Sequence, residues 1–437
     1  MSGSTFSRRS LLGGAAAIAT VPLLTSCNVS GGSTGPGSGG AAAELKFWDM
    51  PWGSPAYTEA AKKNTESYAP AEGLGKATYQ SIQWNGFYQT FSSAIASGTG
   101  PAVSTGAGFQ AFQFAEQGAI AYADNLLESM KKDGSYDDFL PGVVETMKTD
   151  KGYVAVPWLL DVRVLWYNKA LLDEAGTKVP TTWDELLETG KALKKIGVSG
   201  FATGSGTGNT VGMHTMVAMM INNGGGMFDE DGNPDCVTPE NIEAMEFVRE
   251  LVGEGIVDKG AVSYTTDNVE DQWNTRKAGL GIWTPGLVGL APNAADDLVI
   301  ASPLTSPTGK TGGLYFVNNI MMYTKTPSQE NSEAFVKHYL SQLHTYWDQN
   351  LGLGVPALKS IAESPTYAGD PNNVKVIQEW VPVCKGYSAK KDGASAVVAA
   401  VDGGQDLSQF AQTMLQGQTD PKAALTTLQR GIEALAK

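Results

Sequence analysis

Cysteine and histidine are nearly missing from this chain, with three of each among 437 residues. One cysteine, Cys27, falls in an N-terminal leader, so at most one disulfide, between Cys236 and Cys384, can form in the folded body. A disulfide framework is excluded, and stability has to come from burial. Sequence leaves that single bond open, because it requires Cα atoms within about 7 Å. His214, His338 and His344 are too few and too scattered for a metal centre, and no metal is expected. There is no G-x-S-x-G, no H-E-x-x-H and no Cys–His arrangement, which removes the common hydrolase signatures. No cofactor is expected either. Basic residues are outnumbered 31 to 45, a formal charge of −14, which argues against nucleic acid and against lying on an anionic bilayer. The mild apolar run over 13–24 is too short for a permanent membrane span.

What is present begins with an address. Ser7-Arg8-Arg9-Ser10-Leu11-Leu12 reads as a twin-arginine export signal, and Leu24-Thr25-Ser26-Cys27 as a lipoprotein box. Residues 1–26 are then a signal peptide and Cys27 is the acylated first residue of the mature chain. The alternative is a leader cysteine that is never modified. Cleavage removes two arginines and no acid, so the mature chain is more acidic still. Residues 27–43 form the anchor and a linker dominated by Gly and Ser. About 13 residues of such a tether reach on the order of 20 Å.

A chain this long splits into at least two lobes, since single cores stop growing near about 250–300 residues. The body opens with a strand at 44–49, a helix over 56–68, a strand at 76–82, a helix over 87–97 and an apolar step at 102–103. That alternation implies a parallel sheet flanked by helices, with ligands at the loops leaving the strand C-termini. Those loops hold Asp49, Trp52, Trp84, Asn85 and Gly106. Further on, Thr182 caps a helix with Glu185 as its capping-box partner, and Trp183 packs. Thr238-Pro239 opens another helix, with Ile242, Met245 and Val248 on one face. Gly204-Ser-Gly-Thr-Gly-Asn209 lacks the Lys-Ser/Thr of a phosphate loop and reads as a flexible loop.

The stretch 154–174, VAVPWLLDVRVLWYNKALLDE, carries the most chemistry. An apolar strand over 154–158 is broken by Asp161 and Arg163, and a second run over 164–167 leads into a helix near Asn168. Burying an unpaired charge is costly. Either Asp161 pairs with Arg163 at a strand edge, or it points into a cleft and binds a polar ligand. Tryptophan stands beside a polar residue at Trp48–Asp49, at Trp84–Asn85 and at Trp158 near Asp161. Each ring is core or cleft; together they suit a sugar, whose apolar faces stack on aromatics while its hydroxyls bond carboxylates and amides. Asp49 and Asp161 are also the pair a glycoside hydrolase would need, if they stood about 5–10 Å apart.

The same stretch resembles the signature of the extracellular solute-binding proteins of ABC importers, the sugar-binding family: Pro157, Val164, Leu165, Tyr167, Asn168, Leu172 and Glu174 fit it. Segments 94–103, 180–186, 277–286, 312–323, 352–358 and 417–425 resemble further parts of that family, although Ala102 stands where the family carries Asp. The resemblance implies an α/β fold of two lobes, each a mainly parallel sheet flanked by helices, joined by three crossings. It implies an N-terminal lobe of 44–158 with 318–352 and a C-terminal lobe of 162–314 with 357–437. It implies a monomer, not an enzyme, lipid-anchored at the extracellular face of the cytoplasmic membrane, that binds an oligosaccharide of two to four units and delivers it to an ABC permease. Residue by residue, it puts Asp161 on sugar hydroxyls and His214 where the family presents an aromatic to the sugar, with a structural hydrogen bond as the other reading of His214. Arg163, Trp158, Trp283, Asn318 and Tyr387 complete the candidate ligand set with the loop residues named above.

Overall fold

The computed structural model describes residues 42–387 and 396–435; the leader, Cys27 and nearly all of the linker lie outside the described residues. Among the described residues no helix is long and apolar enough to cross a membrane. In chain order the strands are β1 Leu45–Asp49, β2 Ala77–Ser81, β3 Val103–Gly106, a short hairpin of β4 Lys148–Thr149 and β5 Gly152–Tyr153, β6 Val156–Val162 and β7 Val164–Asn168. They continue with β8 Leu280–Trp283, β9 Leu298–Ile300, β10 Gly313–Met322, β11 Val355–Pro356 and β12 Cys384–Lys385. One large sheet runs β11-β6-β10-β3-β1-β2, with β12 also paired to β10, and a second sheet runs β8-β7-β9. Helices cover both, giving the two-lobed α/β architecture.

The sheets are mixed where the sequence suggested mainly parallel ones. β2–β1–β3 is parallel, because crossover helices Pro55–Glu66 and Phe87–Ser97 bring the chain back to the same end each time. β10 runs against both β3 and β6, and β7 against both β8 and β9. The large sheet mixes because β6 leaves it for the small sheet while β10 enters it, so the two must run in opposite directions. The crossing at β6 is also shorter than expected. β6 continues through Asp161 to Val162 and β7 begins at Val164, so Arg163 alone stands between the sheets, its N–H bonded to Leu314 O at 2.8 Å.

Local signals in the sequence translate with small shifts. Thr182 accepts from Glu185 N at 3.2 Å, yet the Glu185 carboxylate turns to Thr181, taking its N–H at 2.7 Å and its hydroxyl at 2.6 Å. Trp183 is buried, stacked 4.7 Å from Phe247 and bonded to Asn222. Cys236 and Cys384 are separate, buried free thiols. The loop 204–209 is held in place rather than flexible: Ser205 N bonds Ala261 O, Gly206 N bonds Tyr264 O, and a Cβ on Gly206 would sit 2.3 Å from the Ser263 carbonyl oxygen. Gly204 and Gly206 serve close backbone packing.

Candidate functional site

A cleft of about 690 Å³ is lined from both lobes. Its floor is a patch of two antiparallel strands. Alternation along β6 turns Leu159 and Asp161 into the cleft, and their partners across β10 are Asn318 and Phe316. Asn318 is nearly fully buried, and among the described residues its Nδ2 meets no hydrogen-bond partner. A buried amide left that way costs about 1–3 kcal/mol, which a ligand oxygen can recover.

From the floor a chain of charged and polar groups runs to one side. Arg163 Nη1 donates to Asp161 Oδ1 at 2.5 Å, and Nη2 and Nε donate to His214 Nδ1 at 2.9 and 3.3 Å. A guanidinium has no acceptor, so His214 Nδ1 must carry the lone pair and Nε2 the proton. Nε2 then donates to Asp402 Oδ1 at 2.9 Å, and Tyr387 donates its hydroxyl to the same oxygen. Burial, and then the Arg163 charge, hold His214 below the ordinary imidazole range, so it is neutral near pH 7. Burial works to raise Asp402, but bonds from His214 and Tyr387 outweigh it and keep that carboxyl below its usual range. Arg163 also lies 5.2 Å over the Phe316 ring, so the guanidinium is stacked as well as hydrogen-bonded. Asp161 is thus paired and still presented: 19% of its side chain is exposed, against 4% for Arg163.

The opposite wall comes from the loops after β1 and β2. Trp52 and Trp84 meet edge to face at 4.9 Å. Each indole N–H is taken by the protein, Trp84 by Pro51 O at 2.9 Å and Trp52 by Thr105 Oγ1 at 3.0 Å, leaving the apolar rings to the cleft. Asn85 stands beside them, and Trp283, at the end of β8, borders the cleft with its side chain buried. Trp52 owes its place to a buried relay, in which Thr105 accepts from the indole and donates to Asp49 at 2.6 Å.

Four sequence candidates do not reach the cleft. Asp49 is fully enclosed, bonded by Thr105, Tyr57 and Tyr79. Burial pushes its carboxyl up to about 6, although every one of those bonds favours the ionised form. Trp158 sits at the irregularity where Leu159 pairs Asn318 but Pro157 pairs Asn319. It faces the opposite side of β6 from Asp161 and packs in the core against Trp52, Trp347 and Tyr57. Gly106 lies inside β3, where a Cβ would come 2.2 Å from the Met321 methyl; its role is sheet packing. Tyr387 is buried behind Asp402 and acts through it. With Asp49 out of the cleft, the Asp49–Asp161 acid pair of a hydrolase is not assembled.

Of the cleft residues outside the sequence candidates, Phe316, Asp402 and Glu270 bear most on its chemistry. Phe316 was recoverable, since it precedes Asn318 by two on one strand. Asp402 follows an apolar helical run with nothing local to mark it, and it meets His214 across 188 residues. Glu270 lies on the helix Thr266–Asn274. Burial, and then nearby Asp267, push its carboxyl up to about 7. Among the described residues, no group of three His, Cys, Asp or Glu gathers as a metal site would.

The profile of the bacterial extracellular solute-binding proteins matches residues 54–342. A solved structure of a sugar transporter from Arthrobacter chlorophenolicus A6, with bound laminaribiose, is 56% identical with a TM-score of 0.88, covering 90% of this chain and 100% of that one. A maltose-bound protein of T. maritima shares the fold at 19% identity and a TM-score of 0.75, covering 90% of this chain and 99% of its own. A putative binding protein of Brucella abortus (strain 2308) is 25% identical over 280 residues, which span 63% of this chain and 66% of the relative. The chain belongs to the bacterial extracellular solute-binding proteins.

Proposed function

We propose that the cleft captures an oligosaccharide of two to four units and that the protein hands it, unchanged, to the permease of an ABC importer. One observation carries the reading: Trp52 and Trp84 face a floor of Leu159, Phe316, the Asp161 carboxylate and the buried Asn318 amide, whose Nδ2 meets no partner among the described residues. Flat apolar rings facing fixed polar groups match a sugar's two kinds of surface. The sugar transporter of Arthrobacter makes laminaribiose the first ligand to try.

In this reading residues 44–158 and 318–352 form one lobe and 162–314 and 357–437 the other. They bend about the crossing at Arg163 to close on the ligand, and the permease selects the closed form by its differential affinity. The protein is exported through the twin-arginine signal and held at the membrane by lipid on Cys27. Cys27→Ala then releases it to the supernatant with sugar affinity unchanged, and retention after a salt wash would reveal another attachment.

Calorimetry on the purified protein with a glycan panel tests the ligand class, with chromatography of the recovered sugar. The expected result is binding of a disaccharide or longer glycan at about 1 μM or tighter, about −8 kcal/mol or better, with no turnover. Tight binding only of amino acids, peptides or metal ions, or hydrolysis of the sugar, overturns it.

A further inference from the structure

The cleft does not stop at its tryptophan wall. A second cavity of about 350 Å³ continues from it, sharing Trp84, Asn85, Gly208 and Asp402 with the first. That volume lies within the range of about 300–1,000 Å³ that small-molecule sites occupy. One wall is the pinned loop 204–209, where Gly204 and Gly206 pack the backbone against Ser263 and Tyr264. The other is a stripe of amides and a hydroxyl. Gln405, Ser408, Gln409 and Gln412 recur at the spacing of a single helix face, at the start of and along the helix Asp406–Gln416, and all four line the cavity. Gln89 joins them from the helix Phe87–Ser97. Gln412 reaches Val262 O at 3.4 Å, while among the described residues the amides of Gln89, Gln405 and Gln409 meet no protein partner.

The chemistry of this lining narrows the ligand. Among the described residues no lysine or arginine faces the cavity, and the one charged residue of that lining is Asp402, already bonded to His214 and Tyr387. The described lining offers an anionic ligand no cation to pair with. Amides that donate and accept, with hydroxyls beside them and an aromatic at the entrance, suit the hydroxyls of a neutral glycan. Resting on the sugar-binding reading above, we infer that the second cavity is a subsite for sugar units beyond the pair held in the main cleft, entered past Trp84, so that a neutral tetrasaccharide is a better ligand than its disaccharide.

The test is calorimetry with di- and tetrasaccharide pairs of one linkage, laminaribiose with laminaritetraose, then maltose with maltotetraose and cellobiose with cellotetraose. Wild type is compared with Gln405→Ala/Gln409→Ala, whose side chains line only the second cavity. For the linkage that binds, the tetrasaccharide should bind about tenfold tighter than the disaccharide, as two hydrogen bonds of about 0.5–1.5 kcal/mol each would give. The variant should lose most of that gain, to about threefold or less, and keep the disaccharide affinity within about twofold. A tetrasaccharide no tighter than its disaccharide, or a variant that keeps the full gain, overturns the subsite and leaves the sugar-binding reading standing. Failure of every disaccharide and tetrasaccharide to bind wild type overturns the sugar reading itself, and the subsite with it.

Discussion

Asp49 and Asp161 are the same residue type in similar places, one ending β1 and the other next to last in β6, and the molecule uses them in opposite ways. After Asp49 the chain turns through Pro51 and Pro55 into the helix Pro55–Glu66, and Tyr57 of that helix comes back over the carboxylate at 3.0 Å. The Tyr339 hydroxyl, 3.2 Å from that of Tyr57, closes the enclosure. After Asp161 the chain does not turn back. It passes through Arg163 into the other sheet, which leaves the carboxylate at the gap between lobes with a cation on one side and the cleft on the other. A strand-end acid stays open to a cleft when nothing following it folds over it. Asp49 still serves the cleft at one remove, through Thr105 and Trp52.

The largest test of this contrast is Asp49→Ala. It strands the Tyr57 and Thr105 hydroxyls, at about 1–3 kcal/mol for each buried donor left unpaired, so urea unfolding of the ligand-free protein should show a loss on the order of 3–5 kcal/mol. An unchanged urea midpoint would break the comparison on the Asp49 side.

Asp161→Asn should do the reverse. Losing charge-assisted bonds of about 1.5–3 kcal/mol should weaken the sugar by about tenfold to a hundredfold in calorimetry, with the ligand-free melting midpoint close to wild type. A large drop in that midpoint with affinity intact would show that Asp161 serves Arg163 and not the ligand.

Titration reports how far an acid is desolvated, in the core or at the cleft. Burial raises Asp49 from 3.8 to about 6 and Glu270 from 4.5 to about 7. A raised carboxyl contributes stability that is complete below its unfolded value and lost as pH rises through its folded one. Wild type should therefore lose stability relative to Asp49→Asn between pH 3.8 and about 6, and relative to Glu270→Gln between pH 4.5 and about 7. Parallel stability–pH curves for wild type and Asp49→Asn would contradict the enclosure.

Tyr79→Phe should have the smallest effect. Its hydroxyl reaches Asp49 at 3.3 Å from a half-buried position, so the change should cost about 0.5–1.5 kcal/mol in urea unfolding. A loss as large as that of Asp49→Ala would mean that Tyr79, and not Tyr57 with Thr105, holds the enclosure together.

Much of this protein is written in short-range pattern. The strand–helix alternation over 44–103 is the parallel half of the large sheet, and the loops after its strands do bring Trp52, Trp84 and Asn85 to the cleft. Along the regular part of β6, alternation puts Leu159 and Asp161 on one face. Thr182, Thr238 and Asn168 cap helices where the sequence places them, since capping is a contact between residues three apart. What pattern could not reach is whatever depends on a distant segment closing over a residue. Asp49 is enclosed by Tyr339, Asp402 meets His214 across 188 residues, and the direction of β10 follows from its return out of the second lobe. Burial is a property of everything that packs around a side chain, so whether an acid is core or cleft was decided only when the whole chain had folded.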